Sequence, residues 1–205
     1  MAKVQAANGT LRKAQVLEVA IRIFSERGYR GTSIIDLAEG VGVGKSSLYH
    51  YIRSKQDLLV ECYDNVLEES LAAERAIVAR GLAPAEALKE ILVDRIVYTC
   101  ENRRLLQIFF EEEAELPAAS AETLLRHRRE YADTLVDLVE SGVEDGSLQI
   151  STTPKIVVNT MLGAANWVYK WYDPSGAMTP EELGNTIAEA LLNGVRRNRR
   201  RKAST

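Results

Sequence analysis

Hydrophobic positions along the chain recur at helical spacing, and no segment shows the alternating pattern of a half-buried strand. The first repeat predicts a helix over residues 10–27, with Gly28 as its stop signal. Its apolar positions are Ala14, Leu17, Ala20, Ile21 and Phe24. Residues 1–9 precede this repeat, and we expect them to form a flexible arm.

Two short helices are predicted next, joined by a turn. Thr32 or Ser33 can cap the first of them, whose apolar positions end at Val41. Gly42 then permits a sharp turn at positive φ. The following helix is predicted from about Gly44 to Ile52, with Val43, Leu48 and Ile52 as its apolar contacts.

The rest of the chain continues the helical pattern. Ser54 opens a Ser-x-x-Asp sequence that is typical of a helix start, and Thr179-Pro180-Glu181-Glu182 opens another. Six further helices are predicted at residues 54–81, from Pro84 onward, and at 105–116, 119–145, 154–172 and 179–195. The fold class is therefore all-α, with about nine helices.

Composition and charge fit a soluble protein with an uneven charge distribution. The 205 residues are 46% hydrophobic and 27% charged, and there is neither a membrane-length apolar run nor a secretion signal, so we expect a cytoplasmic protein. Cys62 and Cys100 fall in apolar helical patterns and are interpreted as reduced core thiols. Residues 1–53 carry a net +4, residues 196–205 a net +6, and the middle a net −13. This asymmetry indicates that only part of the molecule meets a polyanion.

The stretch GVGKSSLYHYIRSK, residues 42–55, has the chemistry of a DNA-binding surface. It contains lysine, serine, tyrosine and histidine side chains, and residues 40–56 contain no carboxylate. Two short helices joined by a glycine turn describe a helix-turn-helix, whose second helix can lie in a DNA major groove. Lysine can neutralise phosphate or bind guanine, and the hydroxyl groups can donate hydrogen bonds.

The sequence GYRGTSIIDLAEGVGVGKSSLYHYIRSKQDLL resembles the DNA-binding signature of the TetR/AcrR family of bacterial repressors, over about residues 10–60. The resemblance implies a homodimeric, all-α regulator that binds a palindromic operator. It implies a three-helix DNA-binding domain at 10–53 and a larger domain at 54–195 for effector binding and dimerisation. Residues 196–205 would form a basic, disordered tail.

The family's DNA contacts carry over to matching positions of this chain: Thr32, Ser33, Lys45, Ser46, Ser47, Tyr49, His50, Tyr51 and Lys55. Gly44 departs from the family pattern, in which serine or threonine usually caps the recognition helix. Three of the contacts have a second interpretation. Tyr51 is either a contact or core, His50 either a contact or a solvated residue, and Lys55 either a contact or a charge at a capping turn.

The predicted dimer face lies on the helices at 154–172 and 179–195, because Gly163, Ala164 and Ala165 allow close approach and Leu183, Ile187 and Leu191 form a stripe. An intramolecular core is the alternative interpretation of the same pattern. The segments NWVYKWYDPSG, 166–176, and LQIFFEEEAELP, 106–117, resemble segments of family members that respond to acyl-CoA thioesters.

A small hydrophobic effector, an acyl-CoA or a related lipid, is therefore predicted. The candidate pocket residues are Arg95, Tyr98, Leu105, Phe109, Phe110, Leu125, Arg128, Trp167 and Lys170. The apolar members would hold an acyl chain, and the cationic members would bind phosphate. Each cation could instead pair with one of the many glutamates nearby.

Enzyme classes find little support in the sequence. Neither His50 nor His127 has the glutamate three residues before it that di-iron bundles use, and no spacing suits zinc. GVGVGK lacks the spacing of a phosphate-binding loop. We therefore expect no metal, no cofactor and no catalysis. The competing interpretation is a helical ligand-binding or interaction module that does not bind DNA, and the basic surface at 45–55 argues against it.

Overall fold

The computed structural model describes residues 2–195, and the side chains of residues 13–193. This range contains nine α-helices, one 3-10 helix at Glu113–Glu115 and no strand, which confirms the all-α fold class. The α-helices are α1 (Ala2–Arg27), α2 (Ile34–Val41), α3 (Lys45–Leu48), α4 (Lys55–Val78), α5 (Pro84–Glu101), α6 (Arg103–Glu111), α7 (Ala118–Glu144), α8 (Pro154–Trp171) and α9 (Pro180–Val195). The basic tail expected at 196–205 lies outside the described residues.

Two helices differ from the sequence prediction at their ends. Helix α1 begins at Ala2, where an arm over residues 1–9 was expected. Alanine, lysine and glutamine favour helix there without any apolar repeat. Helix α3 ends at Leu48 rather than near Ile52. The peptide N–H groups of His50 and Tyr51 each bond a carbonyl three residues back, so tighter turns replace the α-helical ladder.

The described residues form two compact units. The first comprises the described residues within Met1–Glu68 and Arg103–Leu124. The second comprises the described residues within Glu69–Asn102 and Leu125–Thr205. The edges of these units do not coincide with the division at residues 53 and 54 expected from the sequence, and the domain assignment stays a prediction.

In the first unit, α1 packs against α2 and α6. Phe24, Leu37 and Leu48 are buried at the centre of the three N-terminal helices. Tyr63 of α4 lies against the Phe109 ring of α6, with ring centroids 4.8 Å apart, and its hydroxyl donates to the Ile108 carbonyl at 3.2 Å. These contacts attach α6 to α4 within the first unit.

In the second unit, α5 packs against both α8 and α9. A buried apolar cluster includes Leu92, Ile96, Val139 and Met161 from α5, α7 and α8. The crossing of α5 and α9 is close at Gly184, where an added Cβ would lie 3.2 Å from the Val93 side chain and carbonyl oxygen. A side chain at this position would require Val93 of α5 to shift by a few tenths of an ångström.

Each cysteine is buried in its own unit, Cys62 in the first and Cys100 in the second, and both are free thiols. Burial raises the pKa of Cys62 to about 12, so this thiol stays protonated. None of the described helices has the length and apolarity that crossing a bilayer requires.

Candidate nucleic-acid interface and effector residues

The start of α2 is fixed by a reciprocal cap. The Asp36 amide donates to the Ser33 hydroxyl at 3.1 Å, and the Ser33 amide donates to the Asp36 carboxylate at 2.7 Å. Hydrogen bonds from the Ser33 side chain and backbone lower the pKa of Asp36, and Arg27 adds an ion pair at 3.1 Å. Ser33 is exposed, as a DNA contact requires, and its hydroxyl also takes part in the cap of α2.

The turn between α2 and α3 depends on Gly42. Its φ of 78° lies in the left-handed region, which glycine adopts without steric cost. The Gly42 amide donates to Glu39 at 3.0 Å and the Val43 amide donates to Ala38 at 2.9 Å, so the last carbonyls of α2 are satisfied. This geometry sets the angle at which α3 leaves α2.

Helix α3 and the three residues after it carry most of the predicted DNA contacts, and most of these side chains are exposed to solvent. Leu48 is fully buried and fixes the helix against the first unit's core, whereas Tyr49 is 48% exposed. Lys45, Ser46, Ser47 and His50 are also exposed, and Tyr51 is half-buried. Gly44 caps the helix without a side-chain hydrogen bond. A single buried leucine thus holds a short segment whose other side chains are cationic, hydroxylic or aromatic.

The structure gives Thr32 and Lys55 internal partners. Thr32 is 2% exposed, and its hydroxyl donates to the Gly28 carbonyl at 2.8 Å. The Lys55 ammonium donates to the carbonyls of Tyr29 and Thr32, each at 2.8 Å, and lies 4.1 Å from the centre of the Tyr29 ring. Both side chains therefore hold the segment before α2 through hydrogen bonds to its backbone carbonyls.

Two glutamates that the sequence analysis did not assign to this site hold the same segment. The Glu112 carboxylate accepts the Tyr29 amide at 2.8 Å, and Glu115 pairs with Arg30 at 2.6 Å. The two carboxylates contribute to a raised pKa of Tyr29, after burial as the main cause. Nothing in the acidic run at residues 111–115 identifies partners more than eighty residues away in the sequence.

The predicted effector residues are divided between the two units. Leu105, Phe109 and Phe110 belong to the first, where Leu105 and Phe109 are buried. The rings of Phe109 and Phe110 are 5.2 Å apart in an edge-to-face arrangement. The remaining candidates belong to the second unit: Arg95, Tyr98, Leu125, Arg128, Trp167 and Lys170.

Within the second unit, the candidates differ in exposure. Leu125 is 48% and Trp167 58% exposed, on outward faces of α7 and α8. Lys170 is exposed beside the Tyr169 ring, at 5.2 Å, and Arg128 is half-buried. Arg95 and Tyr98 point inward: Arg95 is 9% exposed, and the Tyr98 hydroxyl is buried.

Arg95 is bound by residues that the sequence analysis did not single out. Its Nε donates to Asn166 at 3.0 Å, and its Nη1 donates to Ser70 at 2.7 Å. The centre of the Tyr131 ring lies 5.8 Å from the guanidinium carbon. The sequence carried no signal that Ser70 and Asn166 would bind Arg95, because each is one polar residue among several in its helix.

A separate groove of about 600 Å³ lies on another face of the second unit. It is lined by Ile77, Arg80, Glu86, Lys89, Glu90, Val93, Asp94, Val97 and Asn185. Two ion pairs, Arg80 with Glu90 and Lys89 with Glu189, occupy its cations. None of the predicted effector residues borders this groove.

Residues 16–62 match the family model described as bacterial regulatory proteins, tetR family, and residues 81–195 match the tetracyclin repressor-like C-terminal domain. The chain belongs to the TetR family. It is therefore a DNA-binding transcriptional regulator, and regulators of this family bind operator DNA as dimers and respond to small-molecule effectors.

Three relatives illustrate the similarity. The chain is 26% identical over 185 residues to the HTH-type transcriptional repressor KstR2 of Rhodococcus jostii, covering 90% of this chain and 91% of that protein. The structure of KstR2 of Mycobacterium tuberculosis superposes with a TM-score of 0.86 at 24% identity, over 91% and 96% of the two chains, and shows the shared fold. AibR, solved with isovaleryl coenzyme A and operator DNA, gives a TM-score of 0.79 at 25% identity, over 88% and 98%.

Proposed function

We propose that this TetR-family regulator is a repressor that binds each operator half-site through the exposed residues 45–50. An acyl-CoA effector would release the repressor from the operator. The observation that carries the DNA part is the exposure of Lys45, Ser46, Ser47, Tyr49 and His50 around the buried anchor Leu48. Ser33 and Tyr51 complete the proposed contact surface. A segment of this chemistry, free of carboxylates, suits the major groove and its phosphates.

Thr32 and Lys55 have a different role in this proposal. Because their polar atoms bond the carbonyls of Gly28, Tyr29 and Thr32, they hold the segment that precedes α2. The Ser33 cap follows that segment directly, so its position depends on these bonds. Thr32 and Lys55 then act on operator affinity by positioning the contacts that follow them.

The effector class is proposed from the relatives and from side-chain chemistry. AibR was solved with isovaleryl coenzyme A, and the exposed pair Trp167 and Lys170 lies on α8. A cation beside an aromatic surface suits the phosphates and the adenine of coenzyme A. An effector that binds better to a dimer with altered helix spacing lowers operator occupancy in proportion to that difference in affinity.

Fluorescence anisotropy with a labelled duplex taken from upstream of the protein's own gene tests the DNA part. Lys45→Ala should weaken specific binding by about 1–3 kcal/mol. Arg53→Ala, an equally exposed cation on the flank of the segment, is the matched control and should have a smaller effect. Equal binding by the wild type and Lys45→Ala would place the recognition surface elsewhere.

Titration of the bound complex with isovaleryl coenzyme A tests the effector part. We expect loss of anisotropy with the thioester and no change with free coenzyme A at the same concentration. If isothermal calorimetry shows that the thioester binds but the anisotropy shows no release of DNA, the repressor mechanism is contradicted and the ligand class still stands. Neither heat nor release, repeated with a long-chain thioester, would remove the acyl-CoA class.

A further inference from the structure

Arg95 is a buried cation whose hydrogen-bond partners are all neutral. It is 9% exposed within the second unit, and it donates hydrogen bonds to the Asn166 amide oxygen at 3.0 Å and the Ser70 hydroxyl at 2.7 Å. The third neighbour is the Tyr131 ring, at 5.8 Å from the guanidinium carbon. An ionised group removed from water is unfavourable unless an opposite charge and hydrogen bonds compensate it. The hydrogen bonds are present here, but no carboxylate of the described residues lies in ion-pair contact with the guanidinium.

No carboxylate within the described part of the chain forms an ion pair with Arg95. Asp94 is its neighbour in sequence and is exposed. Glu74 is the other buried charged residue of this unit, but burial raises its pKa to about 8, so it is mostly neutral at pH 7. Arg95 is therefore a buried cation with no carboxylate in ion-pair contact among the described residues, although Asp94 acts on it electrostatically at longer range.

The donors that remain on Arg95 suit a carboxylate. A guanidinium has five N–H groups in a planar fork, and two of them are used by Asn166 and Ser70. Tyr98, three residues further along α5 and on the same side of the helix, adds a buried hydroxyl close to the Glu69 carboxylate. Burial raises the pKa of Tyr98, as does nearby Glu69, so its hydroxyl stays protonated and can donate.

We propose that Arg95, with Tyr98 and the supporting Ser70 and Asn166, is a binding site for a carboxylate on the effector. Bidentate pairing of guanidinium with carboxylate is among the stronger polar contacts in proteins. The inference rests on the proposed acyl-CoA response and narrows it to thioesters whose acyl chain ends in a carboxylate. A purely hydrocarbon acyl chain would leave the remaining N–H donors of Arg95 without a carboxylate partner.

A matched pair of thioesters tests the inference by isothermal calorimetry on the full-length protein. Glutaryl-CoA and valeryl-CoA have five-carbon acyl chains and differ by the terminal carboxylate. The wild type should bind glutaryl-CoA about ten- to one-hundred-fold more tightly. Arg95→Met should lose that preference, and a cooperative thermal unfolding transition of the variant checks that it is folded.

A second variant supplies the missing anion from inside. Asn166→Asp places a carboxylate on the atom position that already accepts from Arg95 at 3.0 Å. We expect this variant to melt at a higher temperature than the wild type without effector, and to lose the preference for glutaryl-CoA. Asn166→Leu is the control for loss of the amide and should melt lower. A melting temperature of Asn166→Asp at or below that of the leucine variant would contradict an uncompensated Arg95.

The outcomes separate this inference from the proposed function. Equal affinity of the wild type for the two thioesters overturns the carboxylate site and leaves the acyl-CoA response intact. If neither thioester binds, the acyl-CoA response fails, and thermal shifts with valerate and its neutral analogue valeramide decide the carboxylate site. Greater stabilisation by valerate, absent in Arg95→Met, supports the site, and equal stabilisation by both compounds overturns it.

Discussion

The carboxylate of Glu112 accepts the backbone N–H of Tyr29 at 2.8 Å, although 83 residues separate them. On the other side of the same residue, the Tyr29 carbonyl accepts a hydrogen bond from Lys55 at 2.8 Å. Side chains from two distant segments thus hold one residue of the loop between α1 and α2. The position of that loop determines where the cap of α2 and the recognition segment begin.

Removing the Glu112 carboxylate should destabilise the first unit. A hydrogen bond from a backbone amide to a partly buried carboxylate contributes about 1.5–3 kcal/mol. We therefore expect Glu112→Ala to lower the free energy of unfolding by about that amount in urea titrations. Glu122→Ala, an exposed glutamate of α7, is the control and should change it by less than about 0.5 kcal/mol. Indistinguishable curves for the two variants would rule out this contact as a stabilising one.

Lys45 and Lys55 should respond differently to salt. A lysine that neutralises a DNA phosphate contributes about one unit to the slope of log K against log salt concentration. Lys45→Ala should reduce that slope, whereas Lys55→Met should leave it unchanged, because the Lys55 ammonium bonds two backbone carbonyls. Lys55→Met should instead lower the melting temperature. A reduced slope for Lys55→Met would restore it to the DNA contacts predicted from the sequence.

In the turn between α2 and α3, substitution of Gly42 should lower stability, whereas substitution of Gly44 should be tolerated. At Gly42 an added Cβ meets nothing within 4 Å, so alanine there costs only the strain of a φ of 78°. We expect Gly42→Ala to lower stability by about 1 kcal/mol and to weaken operator binding as α3 tilts.

Gly44 is the control, because its φ of −69° suits any residue. Gly44→Ser should raise stability by a few tenths of a kcal/mol, since serine can bond the free amides at the start of α3. Urea titrations of both variants check this pair. A stabilised Gly42→Ala would show that the turn adopts another conformation in solution.

Glu74 should make stability decrease with rising pH. Burial, and secondarily Glu130, raise its pKa from 4.5 to about 8, so the native state holds one more proton than the unfolded state between these values. The stability associated with the neutral carboxyl is complete below about pH 4.5 and is lost as pH rises to about 8. Glu74→Gln mimics the neutral acid and should be more stable than the wild type at pH 9, with the two proteins similar at pH 5.

Urea titrations at pH 5, 7 and 9 measure this difference. Glu68→Gln, an exposed glutamate of the same helix, is the control and should track the wild type at every pH. A constant offset between Glu74→Gln and the wild type across the range would mean that Glu74 titrates near its ordinary pKa of 4.5.

Local signals in the sequence were sufficient for most helix boundaries. Pro84, Pro154 and Pro180 begin α5, α8 and α9, and Gly42 adopts the positive φ that its place in the turn predicted. These residues act through their own backbone geometry, which does not depend on the rest of the fold. The extent of α3 was wrong, because the change from α-helical to tighter hydrogen bonding after Leu48 has no sequence signature.

The candidate site divides in the same way. The exposed contacts of α3 follow from helical spacing around Leu48, so the sequence alone predicted which side chains face outward. The roles of Thr32, Lys55, Glu112 and Arg95 depend on partners from distant segments, and the same residue types could equally have faced solvent. Membership in the TetR family and the outward chemistry of the recognition segment were thus determined by sequence. Only the tertiary structure decided which charges became internal, because burial and long-range partners arise when the helices pack.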